Sequence, residues 1–153
     1  MQHLSFQQSD GFCGPASLKI ALAHFGIEVS EKKLAKLSKC TSKLGATAGN
    51  LLKASNKFGV KGFIKENCNL SDLKKYLANK KYVIIVDWFL EDDGHYGVVT
   101  KMDKENIYLQ DPDLGHMRAI RLDIFLRLWF TFDDAYMKTK SDLILRRAIF
   151  LHR

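Results

Sequence analysis

Cys13 and His95 are the residues of this chain whose types and settings could supply a nucleophile and its base. Cys13 lies in the run Gln7-Gln8-Ser9-Asp10-Gly11-Phe12-Cys13-Gly14-Pro15-Ala16-Ser17-Leu18, where a turn is expected to become a helix. A thiol at a helix N-terminus faces unpaired N–H groups and the positive end of the helix dipole. Both favour the nucleophilic thiolate and are expected to hold the thiol below its free value of about 8.5. The same N–H groups can bind a developing oxyanion, and Gly14 leaves little bulk beside the sulfur. The alternative for these residues is a cysteine that packs at a helix start. His95 follows the acidic turn Glu91-Asp92-Asp93-Gly94 and opens His95-Tyr96-Gly97-Val98-Val99. Asp111 comes 16 residues later, in Leu109-Gln110-Asp111-Pro112-Asp113. If residues 95–102 and 106–110 are antiparallel neighbours, His95 and Asp111 lie at the same end of the pair. A carboxylate there can fix the imidazole tautomer and stabilise the imidazolium. The alternative is that Asp111-Pro112-Asp113 is only a turn.

These groups need elements to position them. Gly14-Pro15 opens an apolar-periodic run through Ile20, Ala21 and Phe25, closed by Gly26, with proline in the first turn and glycine past the end as a helix prefers. Ser30 can cap a helix over Glu31–Lys39, with Leu34 and Leu37 inward. A third helix is expected over about Ala46–Phe58, stopped by Gly59. Val60–Ile64 reads as a strand and Ser71–Asn79 as a helix. Tyr82–Phe89, Tyr96–Met102, Asn106–Leu109 and Leu143–Leu151 are β-rich, with a polar turn at Asp103-Lys104-Glu105-Asn106 giving a hairpin. Leu122–Trp129 is expected to be one more short helix. Helices first and an antiparallel sheet second define an α+β pattern. No repeat or linker divides the chain, so residues 1–153 are expected to form a single domain.

Composition narrows the function classes. The 153 residues are 46% hydrophobic and 27% charged, which are globular values. No stretch approaches the roughly 18 apolar residues of a membrane helix. The best run, Tyr82-Val83-Ile84-Ile85-Val86, is stopped by Asp87. The N-terminus has no charged n-region or apolar h-region, so no secretory signal is expected. Cys13, Cys40 and Cys68 form no C-x-x-C pair, a pattern that fits a reducing cytoplasm better than a disulfide framework or a zinc ribbon. Cys40 and Cys68 are expected to pack. His3, His116 and His152 lie outside any ligand spacing, so no metal site and no cofactor is expected. The net charge of +7 is lopsided: residues 1–80 carry 13 basic and 5 acidic side chains, and residues 81–153 carry 11 and 12. Solvated lysine-rich helix faces account for this, and a nucleic-acid partner is disfavoured. Trp88, Phe89, Trp129, Phe130 and Phe132 are expected in the core or at its rim rather than as a substrate groove. Asp10 and Ser17 read as a turn residue and a helix surface position.

A glutamine six residues before a Cys-Gly-Pro-Ala helix start, then a Gly-His-Tyr-x-Val-Val strand, then Asp-Pro-Asp, resembles the family C39 cysteine peptidases. These papain-like domains are best known as the N-terminal processing domain of bacteriocin-exporting ABC transporters. The resemblance covers about residues 4–151, with the motifs in the family's order. It implies a papain-like cysteine peptidase fold, with an N-terminal helical lobe packed on a C-terminal antiparallel β-sheet. It also implies Cys13 as nucleophile, His95 as general base and acid, and Asp111 as the residue orienting the histidine. Gln7 would donate its side-chain amide to the oxyanion hole beside the Cys13 backbone N–H. The chemistry implied is acyl transfer through a thioester, on a peptide or protein substrate that in the family is usually a leader cut after Gly-Gly. No transporter helices and no G-x-x-x-x-G-K-[ST] run occur here, so the chain is expected to be either an excised fragment or, as Met1 suggests, a stand-alone member. Stand-alone members can also process another peptide, cleave an isopeptide bond or transfer an acyl group. A catalytically silent module that keeps the fold to hold a peptide is the alternative function. The active site is expected between the two lobes, with lysines on one wall and Glu91-Asp92-Asp93 on the other.

Overall fold

The computed structural model describes residues 12–90, 93–134 and 136–153, and of Asp93 the backbone alone. Helix α1 (Cys13–His24) begins at the cysteine itself. It ends at Gly26, whose φ of 77° lets the Ile27 N–H turn back to the Leu22 carbonyl at 3.0 Å. Ala16, Leu18, Ile20, Ala21 and Leu22 are all buried, and so is Ser17, contrary to the surface position expected for it. An α1 buried nearly all round is a central packing element and not an amphipathic surface helix. Helix α2 (Glu31–Leu37) starts as expected at Ser30, whose hydroxyl accepts the Lys33 N–H at 3.2 Å, and stops two residues before Lys39. Helix α3 (Ala48–Asn56) is capped by Thr47, whose hydroxyl accepts the Asn50 N–H at 3.2 Å. Ala46 is left outside the helix, and its carbonyl accepts the buried Tyr96 hydroxyl at 2.9 Å.

The strands are β1 (Lys61–Lys65), β2 (Tyr82–Leu90), β3 (Asp93–Met102), β4 (Asn106–Asp111), β5 (His116–Arg121), β6 (Phe130–Thr131), β7 (Ile144–Leu145) and β8 (Ala148–His152). Six of them form one antiparallel sheet in the order β1-β8-β2-β3-β4-β5, and β6 and β7 pair separately. Helices α4 (Leu70–Ala78) and α5 (Leu122–Leu128) complete the elements. α4 opens with a capping box in which Asn69 and Asp72 exchange bonds.

The sheet is covered on both faces. Ile85, Tyr96, Val98, Ile149 and Leu151 join the core built with α1–α3. Their strand neighbours Ile84, Val86, Val99, Ala148 and Phe150 join a second core with Leu73 of α4 and Phe125 of α5. Burial on both sides makes β2 and β8 nearly continuous apolar runs rather than alternating ones. Each fully buried Leu, Ile or Phe contributes about 1.5–3 kcal/mol of transfer free energy. The α+β papain-like arrangement expected from the sequence is therefore present, with a second helical layer, α4 and α5, added on the far face. Among the described residues no helix is long and apolar enough to cross a membrane.

Two expectations need correction. The run Leu143–Leu151 is not one strand but β7 and β8, because Arg146 between them has a φ of 49°, which extended backbone cannot accommodate. Strand β5 was not expected at all. Its sequence His-Met-Arg-Ala-Ile-Arg lies at the sheet edge, where its exposed polar positions leave only a faint apolar alternation.

Asp87 is the polar residue that interrupts the apolar run of β2, and it is 3% exposed. Val86 pairs with Ala148, so Arg147 arrives beside Asp87, and its Nη2 donates to Asp87 Oδ2 at 2.7 Å. The same guanidinium donates to both Asp133 oxygens at 3.1 and 3.3 Å. Removing one partner of a buried ion pair strands the other charge. Arg147→Met should therefore destabilise the protein by about 3–5 kcal/mol in urea unfolding, with most of that loss recovered by adding Asp87→Leu.

Candidate active site

Cys13 is the first residue of α1, and among the described residues few groups compete for the donors of that turn. Pro15 has no N–H, and the Ala16 N–H is taken by the Phe12 carbonyl at 3.0 Å. The remaining donors of that turn are the backbone N–H groups of Cys13 and Gly14, and Phe12 offers no side-chain cap to them. Gly14 is needed for close packing: a Cβ there would lie 3.3 Å from Leu51 and 3.4 Å from Tyr96. The thiol of Cys13 lies beside the His95 imidazole, where it favours the protonated ring, and both residues line one cleft.

His95 is 7% exposed and is held on two further sides. It pairs with Trp88 across β2 and β3, and the indole meets the imidazole edge-on, with ring centroids 4.9 Å apart at 89°. Gly97 makes room for that indole, since a Cβ there would sit 3.0 Å from it. On the other side His95 Nε2 lies 2.5 Å from Asp111 Oδ1, leaving Nδ1 for the sulfur. The hairpin of β3 and β4 forms with a bulge between Val99 and Lys101. Val98 pairs with Gln110, so Asp111 follows beside Gly97, a diagonal step from His95. The structure thus brings Cys13, His95 and Asp111 into one line.

Asp111 has more partners than its sequence signal indicated. Its carboxylate is fully buried. Oδ1 also accepts the Asp113 N–H at 2.9 Å, and Oδ2 accepts Arg118 Nε at 2.6 Å. Arg118 is opposite Leu109 in the β4–β5 register, on the same face as Asp111. It was missed because it sits on the unexpected strand, and its place seven residues past Asp111 was the only cue. Gln7, the expected oxyanion donor, lies outside the described residues, as do His3, Asp10, Glu91 and Asp92.

The electrostatics follow from these contacts. Burial opposes protonation of His95, but the Asp111 hydrogen bond, the Cys13 hydrogen bond and both charges outweigh it and raise the imidazole to about 9. Burial also works against ionised Asp111, and His95, Arg118 and the Asp113 N–H reverse that, lowering the carboxyl below its ordinary value. Burial raises the other two thiols, Cys40 and Cys68, each to about 11. Cys68 is fully buried, and its thiol donates to the Lys65 carbonyl at 3.4 Å.

A cleft opens beside Cys13 and His95. One wall is the loop of residues 42–47, pinned by the Tyr96–Ala46 bond. The other carries Phe89, Phe132 and Asp133, pinned by Arg147. Phe89 stacks on Phe130 at 5.0 Å and meets Phe132 at 5.6 Å, forming a rim, while Trp88 and Trp129 are core. Lys43 is the lysine that lines the cleft. Among the described residues no cluster of three or more His, Cys, Asp or Glu could hold a metal ion.

A helical layer and an antiparallel sheet that meet beside a Cys–His–carboxylate line define the papain-like class. The model of the Peptidase C39 family matches residues 2–132, and the chain belongs to that family. It is 37% identical over 127 residues to an uncharacterised protein of Methanothermobacter marburgensis, covering 80% of each chain. Among solved structures it is similar to the peptidase domain of Streptococcus ComA, a bifunctional ABC transporter involved in quorum sensing. That match has a TM-score of 0.74 and 25% identity, over 99% of this chain and 98% of that one. It shares its fold with a double-glycine-motif protease from an AMS/PCAT transporter, solved in complex with the leader peptide. There the TM-score is 0.68 and the identity 19%, over 98% of this chain and 91% of that one.

The His95 environment has a measurable consequence. The folded protein binds the imidazole proton more tightly than the unfolded chain does. That contribution to stability is full below pH about 6.5 and is lost as pH rises through about 9. NMR titration of the His95 ring should show a midpoint near 9, and Asp111→Asn should move it down towards the ordinary value of about 6.5.

Proposed function

We propose that the protein is a cysteine peptidase that cleaves a peptide bond through Cys13, His95 and Asp111. The observation that carries this reading is the placement of the Cys13 thiol beside an imidazole that is itself bonded to the buried Asp111 carboxylate. The Cys13 sulfur attacks the substrate carbonyl, and negative charge develops on its oxygen beside the first-turn N–H groups of α1. Gln7 is proposed as the side-chain donor to that oxygen. His95, which holds its proton at neutral pH, gives it to the leaving amine as the C–N bond breaks. The acyl group then stays on sulfur as a thioester. Water enters, His95 removes its proton, and attack on the thioester frees the acid and restores the thiol. Asp111 keeps the ring in the tautomer and orientation that both steps need.

The substrate is proposed to be a peptide or protein, with a leader or propeptide as the preferred form. The leader peptide bound to the double-glycine protease named above supports a peptide in this cleft. Residues 1–153 are proposed to act as one domain. A cytoplasmic, reducing setting suits a reaction that needs its nucleophile as a free thiol, and Cys13, Cys40 and Cys68 are all free.

Iodoacetamide labelling followed by peptide mapping tests the nucleophile. Cys13 should alkylate well ahead of Cys40 and Cys68 near neutral pH, and His95→Ala should abolish that lead. Profiling against a peptide library should give cleavage that Cys13→Ala eliminates and His95→Ala slows about 10²–10⁴-fold. A Cys13 no more reactive than the other two thiols, in a protein that still binds peptide, would instead identify a silent binding module.

A further inference from the structure

Two oxygens of one buried carboxylate face two different side chains. Asp111 Oδ1 meets His95 Nε2 at 2.5 Å and the Asp113 N–H at 2.9 Å, and Oδ2 meets Arg118 Nε at 2.6 Å. The Asp111 side chain has no exposed surface, while that of Arg118 is 25% exposed. Water therefore cannot replace Arg118 at Oδ2 without the site opening. A carboxylate can rotate about its Cβ–Cγ bond, and the two bonds at Oδ1, from His95 and from the Asp113 N–H, hold one oxygen only and leave Oδ2 without an anchor of its own. A charge-assisted bond at Oδ2 supplies that anchor.

We propose that Arg118 is a positioning residue for the peptidase reaction: by anchoring Asp111 Oδ2 it locks the carboxylate plane so that Oδ1 stays aimed at His95 Nε2. This rests on the functional reading above. Arg118 makes its bond on the oxygen turned away from the imidazole, so it acts through Asp111. Its strand position serves the same end. Opposite Leu109, it reaches diagonally along the β4–β5 pair to Asp111, as His95 does from β3. The catalytic carboxylate is thus clamped from both neighbouring strands.

The arrangement separates positioning from simple charge. The titratable groups that act on His95 are Cys13 from α1 and Asp111 from β4; Arg118 on β5 is the next charge out. If Arg118 acted only as a nearby positive charge, its removal would make the imidazole easier to protonate, and the His95 midpoint would rise. If it positions Asp111, its removal weakens the acceptor that holds the imidazolium, and the midpoint falls.

The test compares wild type with Arg118→Gln, Arg118→Lys, Asp111→Asn and the Asp111→Asn/Arg118→Gln double variant. Two readouts are taken on the intact protein: the pH dependence of Cys13 alkylation by iodoacetamide and the NMR titration of His95. Arg118→Gln should lower the alkylation rate at neutral pH about 10-fold, by analogy with the loss when the hydrogen-bond partners that orient metal-bound ligands are removed. It should also shift the His95 midpoint downward. Arg118→Lys should restore part of both, and Arg118→Gln should add nothing to Asp111→Asn. Should Arg118→Gln strand the buried carboxylate and fail to fold, Arg118→Lys reads the same downward shift at smaller amplitude. An unchanged or raised His95 midpoint, or additive losses in the double variant, overturns the proposal. The peptidase reading fails differently: wild-type Cys13 would then react no faster than Cys40 and Cys68, whatever stands at position 118.

Discussion

A buried carboxylate needs a hydrogen-bond partner at each oxygen, and Asp111 imposes that requirement on three strands at once. Ionised in a site closed to water, it would be costly with either oxygen unpaired. Its partners arrive from β3, from the turn after β4 and from β5. The Asp113 N–H depends on the turn that Pro112 begins and Gly115 closes, where a φ of 67° turns the chain back into β5. The sheet register on either side therefore cannot slip by a residue without undoing the pairing. The same contacts that neutralise Asp111 raise the affinity of His95 for its proton, so one desolvated group sets both local stability and the acid–base character of the site.

That end of the sheet can be held so tightly because the rest of the sheet is rigid. β2 and β8 are buried on both faces, and Trp88 spans from the far-face core to the imidazole across the gap left by Gly97. Cys13 belongs to a different element, and its position depends on α1 packing against β3 through Gly14 and Tyr96. Neither Gly14 nor Gly97 offers its partner a Cβ, and in both places the neighbouring side chains pack into the space a Cβ would take. The Asp87–Arg147–Asp133 cluster fixes the opposite wall in a comparable way, with a cation crossing from the start of β8 to the loop after β6.

Much of this was legible in the sequence where local and tertiary preferences agree. Pro15 and Gly26 bracketed α1, Ser30 marked the start of α2, and the Asp103–Asn106 turn fixed a hairpin whose register brings His95 and Asp111 to one end. The parts that escaped are those decided by tertiary partners. Strand β5 is a charge-rich edge whose stability comes from pairing with β4, so Arg118 looked like surface. Ser17 is buried because α1 is enclosed on all sides, a fact about its neighbours. The break at Arg146 follows from a left-handed backbone at a residue with no local preference for it. Asp87 could be read as the end of an apolar run, but not as half of a buried ion pair whose other half lies 60 residues away.

The uneven charge of the chain takes on a different meaning once the cleft is mapped. A lysine-rich first half is expected to line one wall of the site, yet Lys43 is the lysine that does so. Lys32, Lys33 and Lys36 of α2 and Lys53 of α3 are partly or fully solvent-facing, where a like-charged surface is screened and costs little. The facing wall holds Asp87, Asp133 and Asp134, with Arg147 offsetting part of their charge from within. The local field at the site is thus set chiefly by the buried Asp87–Arg147 pair, in low-dielectric surroundings where each charge counts for more than a solvated lysine. Net charge governs how the protein meets its surroundings; the buried pairs around Asp111 and Arg147 set the electrostatic environment of the cleft that Cys13 lines.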